Sequence, residues 1–85
     1  MPTYLVEAYA ANRGDTFPAA REHALRAAAL SPDVRFVRTT FVPQDELALH
    51  IFQAPSPRAF RRAAAEAALA YERIVEAVER RGDDA

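Results

Sequence analysis

The chain has 85 residues, a formal net charge of −1 and 51% hydrophobic residues, enough for one domain with a modest core. Near-neutral charge excludes the basic stripe of a nucleic-acid binder. The lack of Cys excludes disulfides and thiolate chemistry, and no run approaches the roughly 18 apolar residues of a membrane span.

Every one of the 11 basic residues is Arg, and Ala is abundant. This reads as the codon bias of a GC-rich genome, not as a functional signal. The opening Met-Pro-Thr-Tyr-Leu-Val-Glu has no basic region and no long apolar run. A signal peptide is therefore not expected, and a cytoplasmic location is.

Thr3 to Ala10 reads as a strand, with Tyr4, Val6 and Ala8 on one side and Leu5, Glu7 and Tyr9 on the other. Asp15 or Thr16 can cap a helix running to about Ala29, with Pro18 in its first turn. Phe17, Ala20, Ala24, Ala27 and Ala28 form its apolar stripe, and Ser31-Pro32-Asp33 ends it. Val34 to Val42 is rich in β-branched and aromatic residues and reads as a second strand. Pro43-Gln44-Asp45 supplies a turn. In the third strand Leu47, Leu49 and Ile51 alternate with Ala48, His50 and Phe52. Ser56 and Pro57 open a second helix, with Phe60, Ala63, Ala64, Ala67 and Ala68 along its stripe. Tyr71 to Glu79 fits either a helix or a strand. A sheet of three strands would leave the second helix poorly covered, so a fourth strand is expected.

The order strand, helix, strand, strand, helix, strand is the split βαβ pattern. The expected fold is α+β and ferredoxin-like, one domain over residues 1–79 with a polar tail over 80–85. A four-stranded antiparallel sheet carries both helices on one face and leaves the other free for a second copy. Giving the purely apolar sets to the helix side, with Val42 opposite Glu46, fills the open face with mixed chemistry. The ligand-binding residues expected there are Glu7, Tyr9, Phe36, Arg38, His50, Phe52 and Glu76. Among them Glu7, His50 and Glu76 are metal-ligating types. His50 as a base and Arg38 as an anion holder are the catalytic candidates. The bland alternative pairs Arg38 with Glu7 or Glu76 and involves no chemistry.

Several of these stretches carry a family resemblance: Tyr4-Leu5-Val6-Glu7, Phe36-Val37-Arg38-Thr39-Thr40-Phe41-Val42, His50-Ile51-Phe52-Gln53-Ala54-Pro55-Ser56-Pro57, and Tyr71-Glu72-Arg73-Ile74-Val75-Glu76-Ala77-Val78. Over nearly its whole length the chain resembles the nickel-responsive, nickel-binding-protein-like family of small ferredoxin-like proteins, domain of unknown function DUF4242. The resemblance implies a homodimer, a final strand and a divalent metal such as nickel. Arg38 stands where that family usually has His, His50 where it often has Cys, and Phe52 where it has Tyr. Arg offers no lone pair to a metal, so metal binding is expected to be weakened. The expected function is a small-ligand or metal-ion binding protein with its site on the open face, where Arg38 and His50 would suit a small anion. The alternatives are a cofactor-independent cyclase, isomerase or oxygenase of the dimeric α+β barrel kind, and a structural dimer without ligand.

Overall fold

Alternation of small and bulky apolar side chains puts β1 (Thr3–Tyr9) and β3 (Leu47–Gln53) at the centre of a four-stranded antiparallel sheet. The edges are β2 (Arg35–Val42) and β4 (Arg73–Ala77), giving the order β2-β3-β1-β4. Two helices, α1 (Thr16–Leu30) and α2 (Pro57–Glu66), pack with one sheet face. This is the expected ferredoxin-like α+β fold, with a strand where Tyr71 to Glu79 was ambiguous. The computed structural model describes residues 1–80 and residue 82, so the polar tail expected over 80–85 falls largely outside the described residues.

Local chemistry explains the helix ends. Ser56 caps α2, its hydroxyl oxygen accepting from the Ala59 amide at 3.1 Å, with Pro57 in the first turn. At the other end Leu69 N donates to Ala64 O (2.8 Å) and Ala68 N to Ala65 O (3.2 Å). This is a Schellman closure, and it places Ala68 in the left-handed region at φ 54°. Asp15 precedes α1 without a side-chain cap, and the Thr16 hydroxyl donates to Arg13 O instead.

The core is built on alanine. Ala24 and Ala27 of α1 and Ala63 and Ala64 of α2 are fully buried against Tyr4, Val6 and Phe52. A file of aromatic rings supplies the bulk. Phe36 meets Phe52 at 5.5 Å between centroids, Phe52 meets Phe60 at 4.9 Å, and Phe60 meets Tyr71 at 5.4 Å. A smaller cluster of Ala8, Ala10 and Ala48 sits beside the stacked pair Phe17 and Phe41.

The hairpin register differs from the expectation, and both faces change with it. Val42 pairs with Leu47, not with Glu46. The connection has four residues: Pro43–Asp45 make a 3-10 turn, and Glu46 follows at φ 50°. Glu46 is held there from both ends. Its carbonyl accepts from Ala10 N at 2.9 Å, and its carboxylate accepts from Asn12 N at 2.8 Å. One extra loop residue swaps the faces of the paired strand, so Arg38 lies opposite Ile51 and Thr39 opposite His50. A bulge at Val37 resets the phase, and Phe36 pairs with Phe52.

Ala48, His50 and Phe52 therefore share a side with Ala8, Val6 and Tyr4, under the helices. Leu47, Leu49 and Ile51 share the open face with Tyr9, Glu7 and Leu5. On β4, Ile74 and Glu76 take the helix side, and Arg73, Val75 and Ala77 the open side. Assignment by apolarity alone failed on β4, where Val75 and Ala77 were expected on the helix side, and on β3, because helices that approach on alanine leave little room beneath them. Ala48 opposite Ala8 fits that gap, and a Leu there does not.

Candidate functional site

His50 is the one buried polar residue among those described, with no exposed surface. β3 carries it under the helices, and β2 holds it: His50 Nδ1 lies 2.7 Å from Thr39 Oγ1. Its Nε2 is buried and has no hydrogen-bond partner. Burial lowers the imidazole pKa from 6.5 to about 4, so the ring is neutral at pH 7. A buried nitrogen left unpaired costs about 1–3 kcal/mol, and no described protein group supplies its partner.

A cavity of about 240 Å³ opens on this residue. Buried Ala8, His50 and Leu69 form its floor, and exposed Tyr9, Ala19, His23, Ala68 and Ala70 form its rim, with Thr16 and Ala20 on the α1 wall. The space exists because five of the ten lining residues are alanine, and Ala8, Ala19, Ala20, Ala68 and Ala70 leave a gap no side chain fills. Thr39 engages Nδ1 from the β2 side, which leaves Nε2 as the unpartnered nitrogen of a residue that lines this gap. The rim also stores strain. Ala68 holds a left-handed backbone where Gly is the usual residue, at a cost of about 1–2 kcal/mol.

The structure divides the residues expected to form one site. Glu7 and Arg38 stay on the open face, and Tyr9 follows them at the end of β1 while also touching the cavity rim. His50, Phe36, Phe52 and Glu76 lie on the other side of the sheet. Phe52 is fully buried, and Phe36 packs against the core. Arg38 pairs with Glu79 at 2.8 Å instead of with Glu7 or Glu76. His50 and Arg38 therefore cannot act together as base and anion holder.

The metal set fares no better. Glu7 and the pair His50 and Glu76 face opposite sides of the sheet, and no group of three His, Cys, Asp or Glu among the described residues could hold an ion. Among the described residues, the expected donors Glu7, His50 and Glu76 do not come together to hold nickel or another divalent metal.

Sequence reading missed Thr39, His23 and the alanines of the cavity. Thr39 was recoverable only with the four-residue connection, which alone sets it opposite His50. A larger depression of about 530 Å³ runs along the outer side of α1, lined by Glu22, His23, Leu25, Arg26 and Ala29. One helix forms all of it, and it contains no buried polar group, so the chemistry lies elsewhere.

A ferredoxin-like sheet with a histidine buried between it and its helices is the class of structure that emerges. No family model matches the chain, and no curated protein matches it in sequence. Among solved structures, the crystal structure of SCO4226 from Streptomyces coelicolor A3(2) is similar, with a TM-score of 0.75. The two share 16% identity, over 93% of this chain and 99% of that one. Likeness at this level shows the fold alone. No helix among the described residues is long and apolar enough to cross a membrane.

Proposed function

We propose that this is a small-molecule binding protein whose site is the His50 cavity, and that it works as a homodimer joined through the open sheet face. The observation that supports the first part is the unpartnered Nε2 of a fully buried His50 beside an unfilled cavity. A buried polar atom is almost always satisfied, and a bound molecule would satisfy this one. This moves the binding site from the open face to the helix side and removes metal from the set of favoured occupants. Native mass spectrometry of freshly purified protein tests it. The parent is expected to carry an organic adduct that Ala20→Leu, which fills the cavity from α1, does not carry. One nickel or zinc ion per chain, retained equally by both, would overturn the reading.

The dimer rests on the composition of the open face. Leu5, Leu47, Leu49, Ile51 and Val75 all lie there, with Glu7, Arg38 and Arg73 as the charged residues among them. Leu5, Leu47, Leu49 and Val75 are half-buried there, and apolar surface gathered on one face marks an interaction site. Leu49→Arg sets a cation directly opposite Glu7, so the fold gains a cross-strand pair while the patch is broken. Sedimentation is expected to give a dimer for the parent and a folded monomer for this variant. A parent that sediments as a monomer at tens of micromolar ends the proposal.

A further inference from the structure

Within that binding reading, on which this step rests, we infer that the cavity takes an uncharged, mainly apolar molecule presenting a single hydrogen-bonding group to His50 Nε2. Three observations define this class. The first is charge. The lining is Ala8, Tyr9, Thr16, Ala19, Ala20, His23, His50, Ala68, Leu69 and Ala70, without a single Arg, Asp or Glu. His50 is itself neutral at pH 7, because burial disfavours its cation. An anion or ammonium seated on this floor would lose its hydration and find no countercharge, which apolar surroundings do not tolerate. The imidazole of His23 stands at the exposed rim, where solvent screens it.

The second observation is size. At about 240 Å³ the cavity is smaller than the roughly 300–1,000 Å³ of sites for drug-sized ligands. A single ring or a short branched chain fits it. The third is the polarity of the one anchor. A threonine hydroxyl both donates and accepts. If Thr39 donates to Nδ1, the ring carries its proton on Nε2 and offers a donor to the ligand. If Thr39 accepts from Nδ1–H, Nε2 offers a lone pair. The same Thr39–His50 contact therefore serves a ketone or an alcohol, with the tautomer following the ligand. Arg38, the residue a small anion would need, is on the opposite face and engaged by Glu79.

The test is a titration of the full-length, ¹⁵N-labelled protein at pH 7 with four probes of one shape: cyclohexanol, cyclohexanone, cyclohexanecarboxylate and cyclohexylammonium. Amide shifts at Ala8, Ala20 and Ala68 report the cavity, and the His50 imidazole nitrogens report the anchor. Cyclohexanol and cyclohexanone are expected to shift all of these, roughly tenfold or more tightly than either ion. Cyclohexanone is expected to drive Nε2 toward its protonated, pyrrole-like resonance, and Ala20→Leu to abolish every one of these shifts. Carboxylate or ammonium binding at the same residues as tightly as the neutral probes would overturn the inference while leaving the cavity as the site. No shift at those residues with any probe would overturn the cavity reading itself.

Discussion

Lowering the pH from 7 to 4 is expected to remove about 3 kcal/mol of stability through His50 alone. Burial lowers its pKa from 6.5 to about 4. At pH 7 the folded chain does not carry the proton and the unfolded chain mostly does not, so nearly all of the stabilising difference is present. As pH falls through 6.5 the unfolded chain takes up the proton and the folded chain does not, so each pH unit costs about 1.4 kcal/mol. Below about pH 4 the folded form is protonated as well, and the loss levels off. Urea unfolding between pH 4 and 7 measures the slope, and His50→Gln is expected to flatten it. Because that variant can be compromised at neutral pH, the imidazole of the parent should also be titrated by NMR. A His50 resonance that titrates near 6.5, or parallel pH profiles for the two proteins, would contradict the expectation.

Phe60→Ala is expected to cost about 3–5 kcal/mol, the usual toll for emptying a fully buried aromatic position. A domain of this size has a total stability of only about 4–13 kcal/mol. Phe60 is the joint of the aromatic file, touching Phe52 on the sheet and Tyr71 before β4. The alanines that surround it, Ala63, Ala64 and Ala67, have no length with which to close over the gap. Each kcal/mol lowers the midpoint of a domain this small by about 4–8 °C, so melting should fall by on the order of 20 °C. Differential scanning calorimetry decides the matter. A drop of only a few degrees would mean that the core is not organised around this ring.

The elements that read correctly from sequence are those whose chemistry is local. Ser56 and Pro57 announce a helix start by side-chain capping and a fixed φ, and both work in place as expected. Ile74 and Val75 sit in a strand because the second helix needs a fourth strand beneath it, a requirement already visible in the element order. The hairpin register was not legible, since it turns on two backbone events that side-chain type does not signal. Glu46 adopts a left-handed φ that Glu rarely takes, stabilised by amides of Ala10 and Asn12 over 30 residues away in sequence. Val37 bulges out of a run in which every residue is a good strand former. The first of these events decides whether His50 looks at Arg38 or at Thr39, so the candidate site shifted even though the fold did not. The cavity itself is a product of what is missing from alanine, and a hydrophobic pattern records where apolar residues fall, not how much space they leave.

Arg38 and Glu79 join residues on opposite margins of the sheet, since β2 is one edge and Glu79 follows β4, the other. The contact brings Glu79, past the end of β4, to the Arg38 side chain on the open face. The pair is half exposed, with 55% and 44% of the two side chains in contact with solvent. A contact of that kind contributes about 0–1 kcal/mol and weakens as ions accumulate around it. The pair is thus a weak clasp at the margin of the open face. Concentrated salt loosens that clasp while the attraction between apolar surfaces holds, so in the proposed dimer association through this face should not weaken as ionic strength rises, the reverse of an interface held by charge.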